Sequence, residues 1–198
     1  MAGTESVDLV GDEAVSNIAL AALLAALTAA FAYISIPLPG LPAPVSFQVF
    51  GVYFAGLLLG PRWGGFSIGL YLLAGIAGAP VFSGGGSGLG YLLGPTGGYL
   101  VGFLLAAVVI GAIVHRGLDP KPLAEVPVTV QVGALVAGLV LIYAVGVPWL
   151  VAGAGLPPAE ALTVGALVFL PGDAIKIAAT LALVKGGVLA RQQSTVTA

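Results

Sequence analysis

Cysteine is absent from this sequence, and histidine occurs once among its 198 residues. The absence of cysteine excludes disulfide bonds, thiolate metal sites and cysteine nucleophiles. A single histidine excludes a zinc triad and a bis-histidine haem. That residue, His115, lies beside Arg116 at the end of an apolar run, where we interpret it as an interfacial residue. We therefore expect neither a bound cofactor nor a metal site.

Charged side chains are also scarce. Only 7% of the residues are charged and 59% are hydrophobic, whereas an ordinary soluble domain carries about 25% charged residues. So few charges cannot cover a surface that faces water, and the chain is predicted to be a multi-pass protein of the cell membrane. We expect lipid around it and no nucleic-acid partner. The net charge of −2 comes largely from acidic residues within positions 1–13.

Six apolar runs are candidates for membrane helices, since a span needs about 20 apolar residues. They cover approximately residues 14–36, 45–60, 63–79, 96–114, 127–147 and 161–184. The second and third are short, which predicts a tilted hairpin about Gly60-Pro61-Arg62 or a locally thinned membrane. We predict one all-α membrane domain over residues 14–190, with an acidic tail before it (1–13) and a C-terminal tail after it (191–198).

The basic residues define the orientation of these runs. All but one of the lysines and arginines fall on the same side of the membrane if the N-terminus is cytoplasmic, as the positive-inside rule requires. These residues are Arg62, Arg116, Lys121, Lys185 and Arg191. The opposite loops, 37–44, 82–95 and 150–160, contain no lysine or arginine. Both termini are therefore predicted to be cytoplasmic, and the uncharged outer loops are expected to fold over a pocket.

Asp173 and the remaining lysine, Lys176, are oppositely charged residues within the sixth apolar run. A charge near the bilayer centre costs about 2.5–3.5 kcal/mol even on translocon-insertion scales, and such residues usually mark a functional site. Their spacing places them on one helix face, just after Pro171-Gly172, which weakens the helix. We interpret the pair as part of a ligand site, with an ion pair that joins helices as the alternative. A proton relay would require further carboxylates or histidines in the runs, and there are none.

Small residues recur in two places. The stretch Gly84–Gly88 has no following Lys-Ser or Lys-Thr, so it is a lid or a linker and not a phosphate-binding loop. In the first run, alanines recur at a four-residue spacing, which is typical either of packing within the bundle or of a smooth face for a partner protein. The residues of the predicted face are Ala22, Ala25, Ala26 and Ala29.

Four segments, taken together, resemble the BioY family, the biotin-binding membrane subunits (S components) of energy-coupling factor (ECF) transporters. They occur in family order and cover most of the chain. The segments are SIPLPGLPAPVSFQ (35–48), LLLGPRWG (57–64), APVFSGGGSGLGYLLGPTGGYLVGF (79–103) and LPGDAIKI (170–177). The combination of GPTGGYL and PGDxxK in one six-span chain is the most specific element of the resemblance.

The resemblance implies an S-component-like bundle of six helices with a vitamin pocket near the outer surface. Asp173 would accept hydrogen bonds from the ureido N–H groups of biotin. Lys176 would pair with an anion, polarise the ureido carbonyl or neutralise Asp173. The other residues that the resemblance places at the ligand are Gln48, Ser83, Ser87, Tyr91 and Tyr99.

The resemblance also gives the alanine face a role, namely docking onto the transmembrane T component of the transporter. The sequence has no nucleotide-binding motif, so separate ATPase subunits would have to supply energy for uptake. The alternative is a stand-alone channel or ion-coupled carrier for a small organic anion, gated by Asp173 and Lys176. An intramembrane enzyme is disfavoured, because no span contains a nucleophile beside a base.

Overall fold

The computed structural model of the chain describes the backbone of residues 12–41 and 44–196 and the side chains of residues 13–41 and 44–187. Most of the predicted acidic tail therefore lies outside the described residues. The elements are α1 (Asp12–Tyr33), β1 (Ser35–Ile36), β2 (Val45–Ser46), α2 (Gln48–Ile76), α3 (Leu89–Leu92), α4 (Gly97–His115), α5 (Val128–Ala154), α6 (Pro158–Leu162) and α7 (Leu170–Val196). A π-helical segment, Thr163–Leu167, joins α6 to α7.

Four helical segments of the described chain are long and apolar enough to cross a membrane. They are Glu13–Tyr33, Gly97–His115, Val128–Ala154 and Pro158–Gly187, with mean hydropathies of 1.8 to 2.4. Large apolar side chains on their outer faces, such as Leu23 and Leu183, are more than 60% exposed. Such a surface suits lipid and not water, which confirms the prediction of an all-α, multi-pass membrane protein.

Several predicted boundaries differ from the structure, and α7 runs past residue 184, the predicted end of the sixth run. Helix α1 ends at Tyr33, three residues before the predicted end. Helix α5 continues through Pro148 to Ala154, beyond residue 147, where the fifth run was predicted to end. Membrane helices tolerate proline where neighbouring groups satisfy the backbone that it frees. The last turns of α5 are also held by a contact with the segment before α4. The indole of Trp149 donates a hydrogen bond to the carbonyl of Gly94 at 3.0 Å.

Helix α2 is a hairpin of two helical arms, residues 48–59 and 61–76. Gly60 has φ 72° and ψ −175°, a conformation that glycine adopts without steric cost. Gly64 approaches the Ala55 backbone so closely that an added Cβ would lie 2.6 Å from the Ala55 oxygen. In a straight helix these residues would be about 13 Å apart. The predicted turn at Gly60-Pro61 is therefore confirmed, while the count of six spans stays a prediction because both arms are short.

The core of the bundle is a row of helices in which α1 packs on α2, α2 on α4 and α4 on α5. Where the hairpin turn crosses α4, Gly111 is so close that an added Cβ would lie 2.4 Å from the Gly60 carbonyl carbon. His115 is 1% exposed at the same end of α4, so it is a packed residue of the bundle and not the interfacial residue that we expected. Helix α7 touches α5 and α2.

The outer end of the bundle is covered by two connecting segments. Strands β1 and β2 pair antiparallel, with Ser35 opposite Ser46. In the segment between α2 and α4, Phe82 is fully buried and packs edge-on against Tyr71 and stacked on Tyr91. The glycine-rich stretch is therefore held down by a buried aromatic side chain, and both segments border the cavity described next.

Candidate ligand-binding site

A cavity of about 110 Å³ lies beneath the two outer segments, among α2, α4, α5 and α7. Apolar and aromatic side chains form most of its wall, as in most small-molecule sites. A few polar side chains face the same space. They are Ser46, Gln48, Ser83, Thr96, Asp173 and Lys176, and three tyrosines, Tyr91, Tyr99 and Tyr143, also line the cavity.

Asp173 and Lys176 form an ion pair on the wall of this cavity. The Lys176 Nζ lies 3.1 Å from Asp173 Oδ1. Lys176 is only 8% exposed and Asp173 only 3% exposed. The hydroxyl of Tyr143, on α5, donates a hydrogen bond to the other carboxylate oxygen, Oδ2. Because Asp173 and Lys176 both belong to α7, their ion pair joins no two helices. The ion pair itself therefore does not have the geometry of the helix-joining alternative, and the link between α7 and α5 is the bond from Tyr143.

The helix is irregular just before this pair. Residues 163–167 are π-helical, and the N–H of Phe169 bonds to the carbonyl of Ala166 at 2.9 Å rather than to Gly165 four residues back. The Gly165 oxygen accepts instead from the Tyr99 hydroxyl at 2.8 Å. Because α7 begins after this irregular segment, Asp173 lies in its first turn, where the positive end of the helix dipole favours a carboxylate. The irregularity predicted at Pro171-Gly172 thus lies a few residues earlier.

Gln48 is held in a defined orientation at the start of α2. The residue is 4% exposed, and its amide nitrogen donates to the Tyr71 hydroxyl. Its amide oxygen accepts from the Ser46 hydroxyl at 3.0 Å. Two partners on different segments therefore hold the amide in place, and Ser46 ties the outer strand β2 to the wall of the cavity.

The outer segment between α2 and α4 contributes Ser83 and Tyr91. The Ser83 Oγ is buried without a hydrogen-bond partner, and buried polar atoms normally have one, so it is available to a ligand. The Tyr91 hydroxyl donates to the Ser83 carbonyl at 3.2 Å. Burial raises the pKa of the Tyr91 phenol, which keeps it neutral. Ser87 is exposed and does not line the cavity.

The cavity brings together most of the predicted ligand residues, and Ser87 is the exception. Tyr143 was missed by the sequence reasoning, although a hydroxyl in the apolar fifth run was a signal that could have identified it. The predicted alanine face is divided. Ala22 and Ala26 are exposed, Ala29 is half-buried, and Ala25 is turned into the bundle at 8% exposure.

Residues 4–193 match the model of the BioY family. The chain belongs to the BioY family. This is a family of transporters, which agrees with the expectation that the chain is not an enzyme. The chain is 39% identical over 175 residues to the biotin transporter BioY of Rhodobacter capsulatus, with 83% of this chain and 88% of that protein covered. It is 37% identical over 162 residues to the biotin transporter BioY of Rhizobium etli, with 81% and 86% covered.

A solved structure resembles this BioY chain as well. It is the crystal structure of the S-component for biotin from an ECF-type ABC transporter, with a TM-score of 0.76 and 29% sequence identity. The similarity covers 89% of this chain and 92% of that one. The prediction of an S-component-like bundle is therefore confirmed for the fold.

Proposed function

We propose that this BioY chain is the biotin-binding membrane subunit of an ECF-type importer and delivers biotin inward together with a T component and ATPases. The observation that carries the proposal is the buried Asp173–Lys176 ion pair on the wall of a mostly apolar cavity. The names of the BioY relatives and of the similar S component support biotin as the ligand.

Biotin has three chemically distinct parts that the cavity can accommodate. Its ureido ring carries two N–H donors and a carbonyl, its thiophane ring is apolar, and its valerate chain ends in a carboxylate. Asp173 accepts a ureido N–H, and Lys176, which has three donors and uses one on Asp173, has others for the ureido carbonyl. The unpartnered Ser83 hydroxyl and the Gln48 amide complete the polar contacts, while Tyr91 and Tyr99 enclose the apolar ring.

The pair of opposite charges suits a ligand with a neutral head. An isolated charge buried in an apolar site is costly, but a hydrogen-bonded ion pair keeps the site neutral overall. The ureido ring can therefore replace water at the pair without leaving a net charge buried. We assign Lys176 to the ureido head on this ground, since its ammonium lies 3.1 Å from the carboxylate that receives the ring.

Energy for uptake must come from partner subunits. The sequence contains no nucleotide-binding motif, so ATP would be hydrolysed by separate subunits. The exposed alanines of α1, Ala22 and Ala26, supply a smooth face on which a T component docks. The domain proposed over residues 14–190 would thus bind the vitamin at its outer end and the partners along α1.

Isothermal titration of the purified chain with biotin tests the proposal. We expect roughly nanomolar affinity, which corresponds to about −12 kcal/mol. In liposomes, accumulation of biotin against its gradient should require the T component, the ATPases and ATP. The absence of biotin binding would refute the proposal. Concentrative uptake by the chain alone, driven by an ion gradient, would indicate the alternative, an ion-coupled carrier.

A further inference from the structure

The Asp173 carboxylate is held from two directions on the wall of the cavity. Lys176 approaches Oδ1 from one turn further along α7, and the Tyr143 hydroxyl donates to Oδ2 from α5. A carboxylate offers about four lone-pair positions on its two oxygens. These two contacts leave acceptor capacity on both oxygens, so a ligand can bind Asp173 without displacing either partner.

The two partners differ in how firmly they hold the carboxylate. The terminal torsion of an aspartate has a broad, two-fold preference, so the carboxylate plane is not fixed by its own rotamer. Lys176 belongs to the same helix and has a flexible stem, which gives it little power to fix that plane. Tyr143 has a rigid ring and belongs to a neighbouring helix, so the position of its hydroxyl relative to Asp173 is fixed by the packing of α5 against α7.

Tyr143 is itself positioned by the cavity wall. Its ring meets the Tyr99 ring edge-on, with 6.3 Å between centroids and 86° between planes. Tyr99 is anchored in turn, because its hydroxyl donates to the Gly165 carbonyl at 2.8 Å. A chain of contacts therefore runs from the π-helical segment through two tyrosines to the carboxylate. Groups near a binding site that are held in this way define the geometry of the residues that contact the ligand.

We propose that Tyr143 is a positioning residue for the Asp173 carboxylate and sets the preference of the site for a ligand head with N–H donors. The inference rests on the proposed function, since it names the structural basis of ureido recognition at the same site. Tyr143 holds Oδ2 so that its free lone pair faces the cavity, and it keeps this bond when the ligand is bound. Without the hydroxyl, the carboxylate turns towards Lys176 and meets an N–H donor at a poorer angle.

The test compares two ligands on the Tyr143→Phe variant, which removes the hydroxyl and keeps the ring. The ligands are biotin and a biotin derivative methylated on both ureido nitrogens, which has no N–H donor. We expect the variant to bind biotin at least about tenfold more weakly, the loss typical of one hydrogen bond to a charged group. Its affinity for the methylated derivative should change by less than about twofold, so the discrimination between the ligands shrinks.

Tyr33→Phe is the matched control, because it makes the same chemical change at an exposed tyrosine that does not line the cavity and whose hydroxyl donates to the Pro80 carbonyl and not to Asp173. It should leave the ratio of the two dissociation constants unchanged, whatever it does to each. An equal loss for both ligands in Tyr143→Phe would mean that Tyr143 only supports the cavity wall, and the inference would be wrong. Unchanged biotin binding would also overturn it. If wild type does not bind biotin, the proposed function fails first.

A measurement on the unmutated chain gives an independent result, which is needed if the variant does not fold. Infrared difference spectra with ring-labelled tyrosine report whether a phenol donates to a carboxylate. Among the described residues, Tyr143 is the tyrosine that makes such a bond. The inference requires this signature before and after biotin addition. Its loss on addition would mean that Tyr143 only occupies Oδ2 until the ligand replaces it.

Discussion

The imidazole of His115 donates a hydrogen bond from Nε2 to the carbonyl oxygen of Leu57 at 2.9 Å, across the end of the α2 hairpin. In a regular helix that carbonyl would accept from the N–H four residues later, but the residue there is Pro61, which has none. His115 therefore satisfies the carbonyl that the turn leaves free. The N–H of Lys121 donates to the other ring nitrogen, Nδ1, at 2.9 Å. The two contacts require a neutral imidazole with its proton on Nε2.

Replacement of this histidine should destabilise the bundle. In His115→Phe the buried Leu57 carbonyl loses its partner, and an unsatisfied buried acceptor costs about 1–3 kcal/mol. We expect a lower midpoint of thermal unfolding in detergent. Arg116→Gln alters the exposed neighbour and should change stability by less than about 0.5 kcal/mol. Equal midpoints for wild type and His115→Phe would mean that water can replace the imidazole at this turn.

The close crossing of the hairpin over α4 predicts opposite effects at two glycines. The Cβ of Gly111→Ala would lie 2.4 Å from the Gly60 carbonyl carbon and the Pro61 nitrogen. Both are backbone atoms that cannot rotate away, and overpacking of this kind costs about 1–3 kcal/mol. Gly133→Ala on α5 meets nothing within 4 Å, so its higher helix propensity should leave stability unchanged or raise it by up to about 1 kcal/mol. Thermal unfolding of the two variants measures the difference, and similar midpoints would contradict the close crossing.

Much of this architecture could be predicted because the bilayer restricts the backbone. A spanning segment must satisfy its hydrogen bonds internally, so long apolar runs predict helices directly. The turn at Gly60-Pro61 was also readable, since glycine permits the conformation and proline lacks the N–H. Charges inside an apolar run are rare enough to mark a site without a structure, which is why Asp173 and Lys176 were identified.

The rotation of each helix about its axis could not be predicted. In a soluble protein, polar residues mark the outer face of a helix, but here the faces towards lipid and towards the core are both apolar. Ala22 and Ala25 therefore look equivalent in sequence, although one is exposed and the other is buried. The same ambiguity concealed Tyr143 and the burial of His115. Their roles depend on which neighbouring helix each one faces.

Removal of either charge at the site should weaken biotin binding. Asp173→Asn leaves the Lys176 ammonium buried without its anionic partner. Lys176→Met leaves the Asp173 carboxylate buried without its cationic partner. We expect each to cost at least about 2 kcal/mol of binding free energy, measured by isothermal titration. The double variant should lose less than the sum of the two, since neither charge is then left alone. Glu160→Gln, an exposed carboxylate of α6, is the control. Normal binding by both single variants would remove the pair from the site.

The division of the alanine face predicts that neighbouring alanines of α1 behave differently. Leucine at Ala22 or Ala26 adds bulk on the exposed surface, so it should abolish co-purification with the T component and leave biotin binding intact. Leucine at Ala25, which is 8% exposed, must be accommodated inside the bundle and should impair stability and biotin binding as well. Pull-down with a tagged T component and titration with biotin separate the two effects. Co-purification that survives both exposed substitutions would show that docking uses another surface. If Ala22→Leu loses docking and biotin binding together, that alanine packs the bundle instead of meeting a partner.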